Sequence, residues 1–412
     1  MTVTDSLSHG LPTARLGAVM TRIQDVGHAT EPALSVFLDA GVVPRAERPD
    51  NHNSLGSDLE KYQLVKPGDL VFNRLRTWQG GFGASRHRGI VSPAYIVARP
   101  QGKGDARYLD YVLHSAPYLA ELTRVSKWMP PSQFDVLWAD LRNVAVPWPE
   151  VAEQRRIADF LDDRVSRIDQ IVAARRSQAA LAQLLFFGAS SALMDRAANH
   201  YGLAPLRRFC AGIEQGSSPV AEDREPDHDE YGVLKTSAIQ GGRFLPWRAK
   251  VAQAHLVDER FRVQAGDVLV VRGSGSAELV GDAATVVDLH GRRLYLSDLT
   301  YRLRGLAINS EFTTLSIISG RGRSELGARV RQGSGPAKAR GEDILTLPVP
   351  RAPLSVQVKI VDEASSMRDA HESGARRLTD ASELMNAYKR SLITAAVTGE
   401  LDVTTARSGI PG

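Results

Sequence analysis

The chain is short of the residues that staple or anchor a protein. With Cys210 as its one cysteine in 412 residues, no internal disulfide can form, and a reducing compartment fits. No stretch approaches the ~18 uninterrupted apolar residues that a membrane span needs. The opening residues 1–16 lack a basic region followed by an apolar one, so export is not expected and the cytoplasm is the expected location. Lysine is scarce as well: of 51 basic residues against 47 acidic ones, 42 are arginine, and the formal net charge is +4. Arginine presents a planar fork of donors matched to phosphates and guanine edges, so the composition permits nucleic-acid binding, although a genome rich in arginine codons gives the same balance. A hydrophobic share of 43% with 24% charged residues is that of a folded protein, and the length leaves room for two or three domains.

Signatures of catalysis are also missing. No phosphate loop occurs, because Gly333-Ser334-Gly335-Pro336-Ala337-Lys338 has neither the spacing nor the hydroxyl. The pairs Gly273-Ser274-Gly275 and Gly320-Arg321-Gly322 never complete a dinucleotide motif, and no Asn-Pro-Pro-aromatic motif of amino-methyltransferases is present. No lysine has Asp or Glu two places before it, which removes the usual partner of a metal-dependent nuclease motif beginning at Pro226-Asp227. The ten histidines show no HxxxH or HExxH spacing, and His228 beside Asp227, Asp229 and Glu230 reads as a solvated acidic turn. These absences favour a binding protein that is not itself an enzyme, with no metal and no cofactor bound by this chain.

What is present is a duplication at a spacing of about two hundred residues. Lys66-Pro67-Gly68-Asp69-Leu70-Val71-Phe72-Asn73-Arg74 matches Gln264-Ala265-Gly266-Asp267-Val268-Leu269-Val270-Val271-Arg272: a Gly-Asp turn feeding an apolar strand that delivers an arginine. Val144-Ala145-Val146-Pro147-Trp148-Pro149 matches Leu345-Thr346-Leu347-Pro348-Val349-Pro350, short strands closed by Pro-x-Pro. Gln154-Arg155-Arg156-Ile157 then matches Gln357-Val358-Lys359-Ile360, and each opens a long segment free of proline. Three matches in one order imply two copies of a globular unit followed by a helix.

The first helical segment, about 150–194, places Leu161, Val165, Ile168, Val172, Ala179, Ala182 and Phe186 on one stripe broken by Arg175. The second, about 354–397, places Val361, Ala364, Ala375, Leu378, Met385 and Leu392 on a weaker stripe broken by Arg368, His371 and Lys389. Neither stripe can be buried alone, so the two helices are expected to pair as an antiparallel coiled coil, with a globular unit at each end. Between them, segments such as 89–97 and 294–302 alternate short apolar runs with turn residues. The expected fold is α+β: two duplicated recognition domains at 1–147 and 201–348, each followed by a long helix at 148–200 and 349–398, with a C-terminal tail at 399–412.

The strand ending in Pro-x-Pro, the Gln-x-x-Ile at the start of a long helix, and above all the run Leu392-Ile393-Thr394-Ala395-Ala396-Val397-Thr398-Gly399-Glu400-Leu401-Asp402-Val403 resemble the DNA-specificity subunits of type I restriction-modification systems. The resemblance covers the whole chain. Gly216-Ser217-Ser218-Pro219, Leu234-Lys235-Thr236-Ser237-Ala238-Ile239 and Gly241-Gly242 look like the opening of a recognition domain of that family, whereas Gly27-His28-Ala29-Thr30 in the first copy departs from it. The resemblance implies a non-catalytic subunit that reads a bipartite, asymmetric site in double-stranded DNA. Methylation subunits, which use S-adenosylmethionine to modify adenine, and restriction subunits, which use ATP and Mg, would be its partners in this phage-defence complex. A stand-alone DNA-binding regulator, or a scaffold of another defence complex, is the competing reading, and an enzyme with an unfamiliar active site is a third.

Candidate DNA-binding residues follow the two matched strands. In the first copy they are Arg74, Arg76, Thr77, Trp78 and Gln79, then Arg86 and Arg88 around His87, and Lys127, Ser132 and Gln133 around Trp128. In the second they are Arg272, Ser274 and Ser276, then Arg331, Gln332, Ser334, Lys338 and Arg340, with Lys235 and Thr236 as further candidates. Such clusters combine phosphate clamping with base-edge contacts from Arg or Gln. The helix-pair interface is expected to use Leu161, Val165, Ile168, Val172 and Phe186 against Val361, Leu378, Met385 and Leu392.

Overall fold

The computed structural model describes residues 11–48, 55–56, 58–129, 133–330 and 337–405. Two compact units emerge: Met1–Arg176 together with Thr379–Gly412, and Ser177–Leu378. The long helices span Val151–Tyr201 and Leu354–Thr398, so each contributes one half to each unit. The first helix runs past the expected Met194 because Leu193, Met194 and Ala197 are buried in the core of the second unit and favour another helical turn. Both helices are followed by a glycine in the left-handed region, Gly202 (φ 72°) and Gly399 (φ 82°), the conformation that ends a helix with least strain.

The first unit is built on a four-stranded antiparallel sheet ordered Met20–Ile23, Tyr95–Pro100, Leu70–Asn73, Phe82–Ala84. The second repeats it with Gly212–Gln215, Thr300–Arg304, Val268–Val271, Ala283–Thr285. The matched strands are apolar without alternation because both of their faces are covered. Leu70 and Phe72 face a core shared with helices, while Val71 faces a second cluster. Val268 and Val270 against Leu269 and Val271 divide in the same way.

The other matched segments also recur as structure. Ala145–Pro147 pairs with Thr13–Arg15, and Pro348–Pro350 pairs with Leu203–Pro205; Pro147 thus stands where Pro350 does, which shifts the match of the two Pro-x-Pro runs by two residues from the one read in the sequence. At the Gly-Asp turns, Gly68 (φ 90°) and Gly266 (φ 89°) take the left-handed conformation, and the Asp69 and Asp267 carboxylates each accept a backbone N–H three residues earlier at 2.8 Å. An arginine of the adjacent strand clamps each turn: Arg99 bonds Asp69 at 2.6 and 2.8 Å, and Arg302 bonds Asp267 at 3.0 Å. The matched glutamines lock the start of each long helix to its own domain. Gln154 accepts the Asp105 N–H and donates to the Pro149 carbonyl; Gln357 accepts the Asn309 N–H and donates to the Ala352 carbonyl. Asp105 and Asn309 are themselves the N-caps of helices Ala106–His114 and Ser310–Ile318.

Among the expected interface residues, Leu161, Ile168 and Val172 are buried in the first unit with Leu392, and Met385 packs against that core. Asp169 and Lys389 form an ion pair there at 2.5 Å. In the second unit Val361 packs on the core, Phe186 is buried beneath the Arg368 guanidinium at 5.2 Å, and Arg196 reaches Glu363 at 3.7 Å. Moving up the first helix from Phe186 to Arg196 moves down the second from Arg368 to Glu363, so the halves run antiparallel. Val165 and Leu378, also expected on the seam, are half-buried along the same two helices.

Candidate nucleic-acid interface

Each central strand ends at an arginine whose backbone is tied to the segment leading into the Pro-x-Pro strand. The Arg74 carbonyl accepts the Val136 N–H at 3.2 Å, and the Arg272 carbonyl accepts the Ala339 N–H at 2.8 Å. Beside each arginine lies a cleft. In the first domain it measures about 300 Å³ and is lined by Arg22, Arg74, Ile96, Leu137, Trp138 and Arg142. In the second it measures about 630 Å³, and Arg272, Tyr301, Arg329, Lys338, Arg340 and Asp343 are among its walls. Ile96 and Tyr301 occupy the same register position on equivalent strands, opposite Phe72 and Val270. Equivalent backbone thus builds two open, basic concavities with different side chains, an arrangement suited to polyanion binding.

The two arginines are held differently. Arg74 forms a bidentate pair with Asp135 at 2.9 and 2.5 Å, which fastens the hairpin Lys127–Met129/Gln133–Asp135 to the strand end. Arg272 leans on neutral partners, the Tyr301 hydroxyl at 3.1 Å and the Asp298 carbonyl at 3.3 Å, so its charge stays available to a ligand.

The remaining candidates divide by exposure. Arg76, Gln79, Arg86, Lys127, Ser276, Lys338 and Arg340 are exposed. Trp78 is half-buried and donates its indole N–H to the Leu75 carbonyl at 3.1 Å. Arg88 is exposed but paired with Glu31 at 2.8 Å, and Lys235 is paired with Asp223 at 2.5 Å, with Thr236 half-buried beside it. Two candidates are corrected. Thr77 is fully buried with its hydroxyl donating to the Asn73 carbonyl, and Ser274 is buried with its Oγ accepting the Ser276 N–H, so both stabilise turns and face no ligand. Ser132, Arg331, Gln332 and Ser334 lie outside the described residues, and of Gln133 only the backbone is described, within its strand.

Arg22, Arg142 and Arg329 were not among the expected site residues. Arg22 and Arg142 lie far from Arg74 in the chain and meet it only through the sheet; Arg329, two residues before Arg331, could have been found by extending that basic run. His114 was missed too. Its Nε2 lies 3.2 Å from the Gly80 carbonyl and its Nδ1 lies 2.9 Å from the Asp110 carbonyl and 3.1 Å from the Asp110 carboxylate. Burial works against charge on the ring, yet the Asp110 contacts outweigh it and hold the His114 pKa above its ordinary value. The ring thereby braces Gly80 (φ 89°), the end of the turn that carries Trp78 and Gln79.

No family model matches the chain. Across 96% of its length it is 23% identical to the StySPI type I restriction enzyme specificity subunit of Salmonella potsdam and 22% identical to the EcoKI specificity subunit of Escherichia coli K12, covering 90% of each. The fold is shared with a chain from a solved structure concerned with complex assembly and conformational transition of the type I R-M system, at TM-score 0.67 and 15% identity, over 95% of this chain and 100% of that one.

Proposed function

We infer that the chain is a specificity subunit of a type I restriction-modification system, the premise on which its two basic clefts are interpreted. In this role it binds double-stranded DNA in company with methylation and restriction subunits, and it is not itself catalytic. Each recognition domain reads one half of a bipartite site through the cleft at the end of its central strand. The observation that carries this reading is that one scaffold builds the cleft twice, around Arg74 and around Arg272, with different linings. Equal scaffolds dock alike on the duplex, whereas unequal linings read unequal bases, so the recognised sequence is asymmetric. The constant spacer between half-sites is assigned to the two long helices. S-adenosylmethionine, ATP and Mg belong to the partners in this reading, and the complex works in the cytoplasm.

Co-expression with an adenine methyltransferase partner in a methylation-free host, followed by long-read mapping of adenine methylation, tests it. A split, asymmetric motif that disappears when this chain is omitted is the expected result. Unmodified DNA despite a stable complex would instead support a stand-alone regulator or a scaffold.

A further inference from the structure

An exposed tryptophan beside the first basic cleft has no structural task that requires its exposure. Trp128 stands on the hairpin that Arg74 fastens through Asp135, and 49% of it is open to solvent. One edge packs on Phe134 at 4.9 Å, and Phe134 in turn packs on Trp78 at 5.0 Å, so the indole is backed by an aromatic stack. The stack is braced from behind by the Trp78 indole bond to Leu75 and by His114 under Gly80. Two more large apolar residues, Leu75 (41%) and Leu137 (42%), are exposed next to Arg74 and Val136 in the chain. Cations accompany these residues: exposed Lys127 and Arg76 adjoin Trp128 and Leu75 in the chain, and Arg22, Arg74 and Arg142 line the cleft with Leu137.

Leaving an indole half in water forgoes about 1–2 kcal/mol of burial, so a monomeric surface does not favour it. A rigid aromatic within a basic collar has the chemistry of a base-stacking platform: the cations hold phosphates while the ring covers a nucleobase face exposed at an opened step. We propose that Trp128 is a specificity-determining residue of the first domain, stacking on a nucleobase at a locally unstacked step of the half-site read there. The proposal rests on the specificity-subunit reading and adds to it a mode of recognition, by deformability of a base step as well as by hydrogen bonds. Half-sites containing a pyrimidine–purine step, which opens most readily, are favoured by this mode.

The test uses the complex with its methylation subunits. Subtracting the emission of Trp128→Phe from that of the native complex isolates the Trp128 indole, whose fluorescence a stacked base quenches. Quenching on cognate duplex, and none when the first half-site alone is scrambled, is the expected result. Trp128→Ala should lower cognate affinity by about 5- to 100-fold, with partial recovery in Trp128→Phe. Unquenched Trp128 emission on a duplex that the native complex still binds and methylates would overturn the stacking role while leaving the specificity reading intact. Equal native binding to cognate and fully scrambled DNA would overturn the specificity reading and the proposal together. Should Trp128→Ala fail to fold, the emission difference between the native complex and Trp128→Phe still decides.

Discussion

In the first copy Arg74 is neutralised by Asp135, and a hairpin with an aromatic stack is fastened beside it; in the second, Arg272 rests on a phenol and a carbonyl within a cleft about twice as large. The scaffolds beneath are nearly superposable in logic: the same sheet order, the same Gly-Asp turn, the same glutamine at the start of the long helix. A duplicated frame therefore keeps what folding demands, and the two copies diverge at the strand ends, around the two clefts. The second copy also carries an additional four-stranded sheet ordered Ala221–Glu222, Ala249–Ala252, Tyr231–Leu234, Arg293–Tyr295, where the first, among the described residues, has two-stranded pairs.

The largest effect is expected where the frame is common to both copies. Ile168→Asp places a carboxylate in a core shared by both long helices and the first domain, at a cost of roughly 4 kcal/mol or more. The expected outcome is loss of cooperative unfolding in the first unit and loss of the assembled complex; a native melting temperature with normal assembly would refute the helix-pair description. The clamp on the Gly-Asp turn should come next, and unequally. Arg302 is 3% exposed and bonds two half-buried carboxylates, Glu214 and Asp267, so Arg302→Ala leaves two like charges facing each other across a void and should cost about 3–5 kcal/mol. Arg99 is 37% exposed and water can enter in its place, but the Asp69 carboxylate it pairs with is 1% exposed, so Arg99→Ala should cost about 1–3 kcal/mol, a smaller loss measurable by urea denaturation of each variant.

These positions show how much could be read in advance. The duplicated turn, the Pro-x-Pro strand and the two helices were legible because each is local and dictated by backbone chemistry. The partners of Asp69 and Asp267 were not, because Arg99 and Arg302 arrive from a neighbouring strand about thirty residues later and no local pattern marks them. Thr77 and Ser274 looked like ligand-facing polar residues; the sheet turned them inward to satisfy turns.

Binding experiments separate the two copies further. Arg272→Ala should weaken cognate DNA binding by ~1–3 kcal/mol, and Arg74→Ala by less, since Arg74 already gives much of its charge to Asp135. Fluorescence anisotropy on cognate and random duplexes distinguishes the roles: equal loss on both makes the residue a phosphate contact, and loss confined to the cognate makes it a base contact. A larger loss for Arg74 than for Arg272 would overturn the contrast. The smallest effect concerns His114, whose place in the second copy is taken by Ile318 at the end of the equivalent helix. Because its folded pKa is raised, its contribution is fully present below the unfolded value of about 6.5 and is lost as pH rises through the folded value. The stability gap between the native chain and His114→Gln should therefore narrow as pH rises, and a gap constant with pH would show that the ring works by packing alone.

The order of amino acids determined by itself the repeat, the strand entries, the presence of the two long helices and the lack of known catalytic motifs, since each depends on residues close together in the chain. Which arginines carry an available charge, which hydroxyls face inward and which indole stands in solvent were decided only by the tertiary structure. Those properties depend on neighbours brought together by the sheet from distant parts of the sequence, and burial and electrostatic pairing are set by proximity in space.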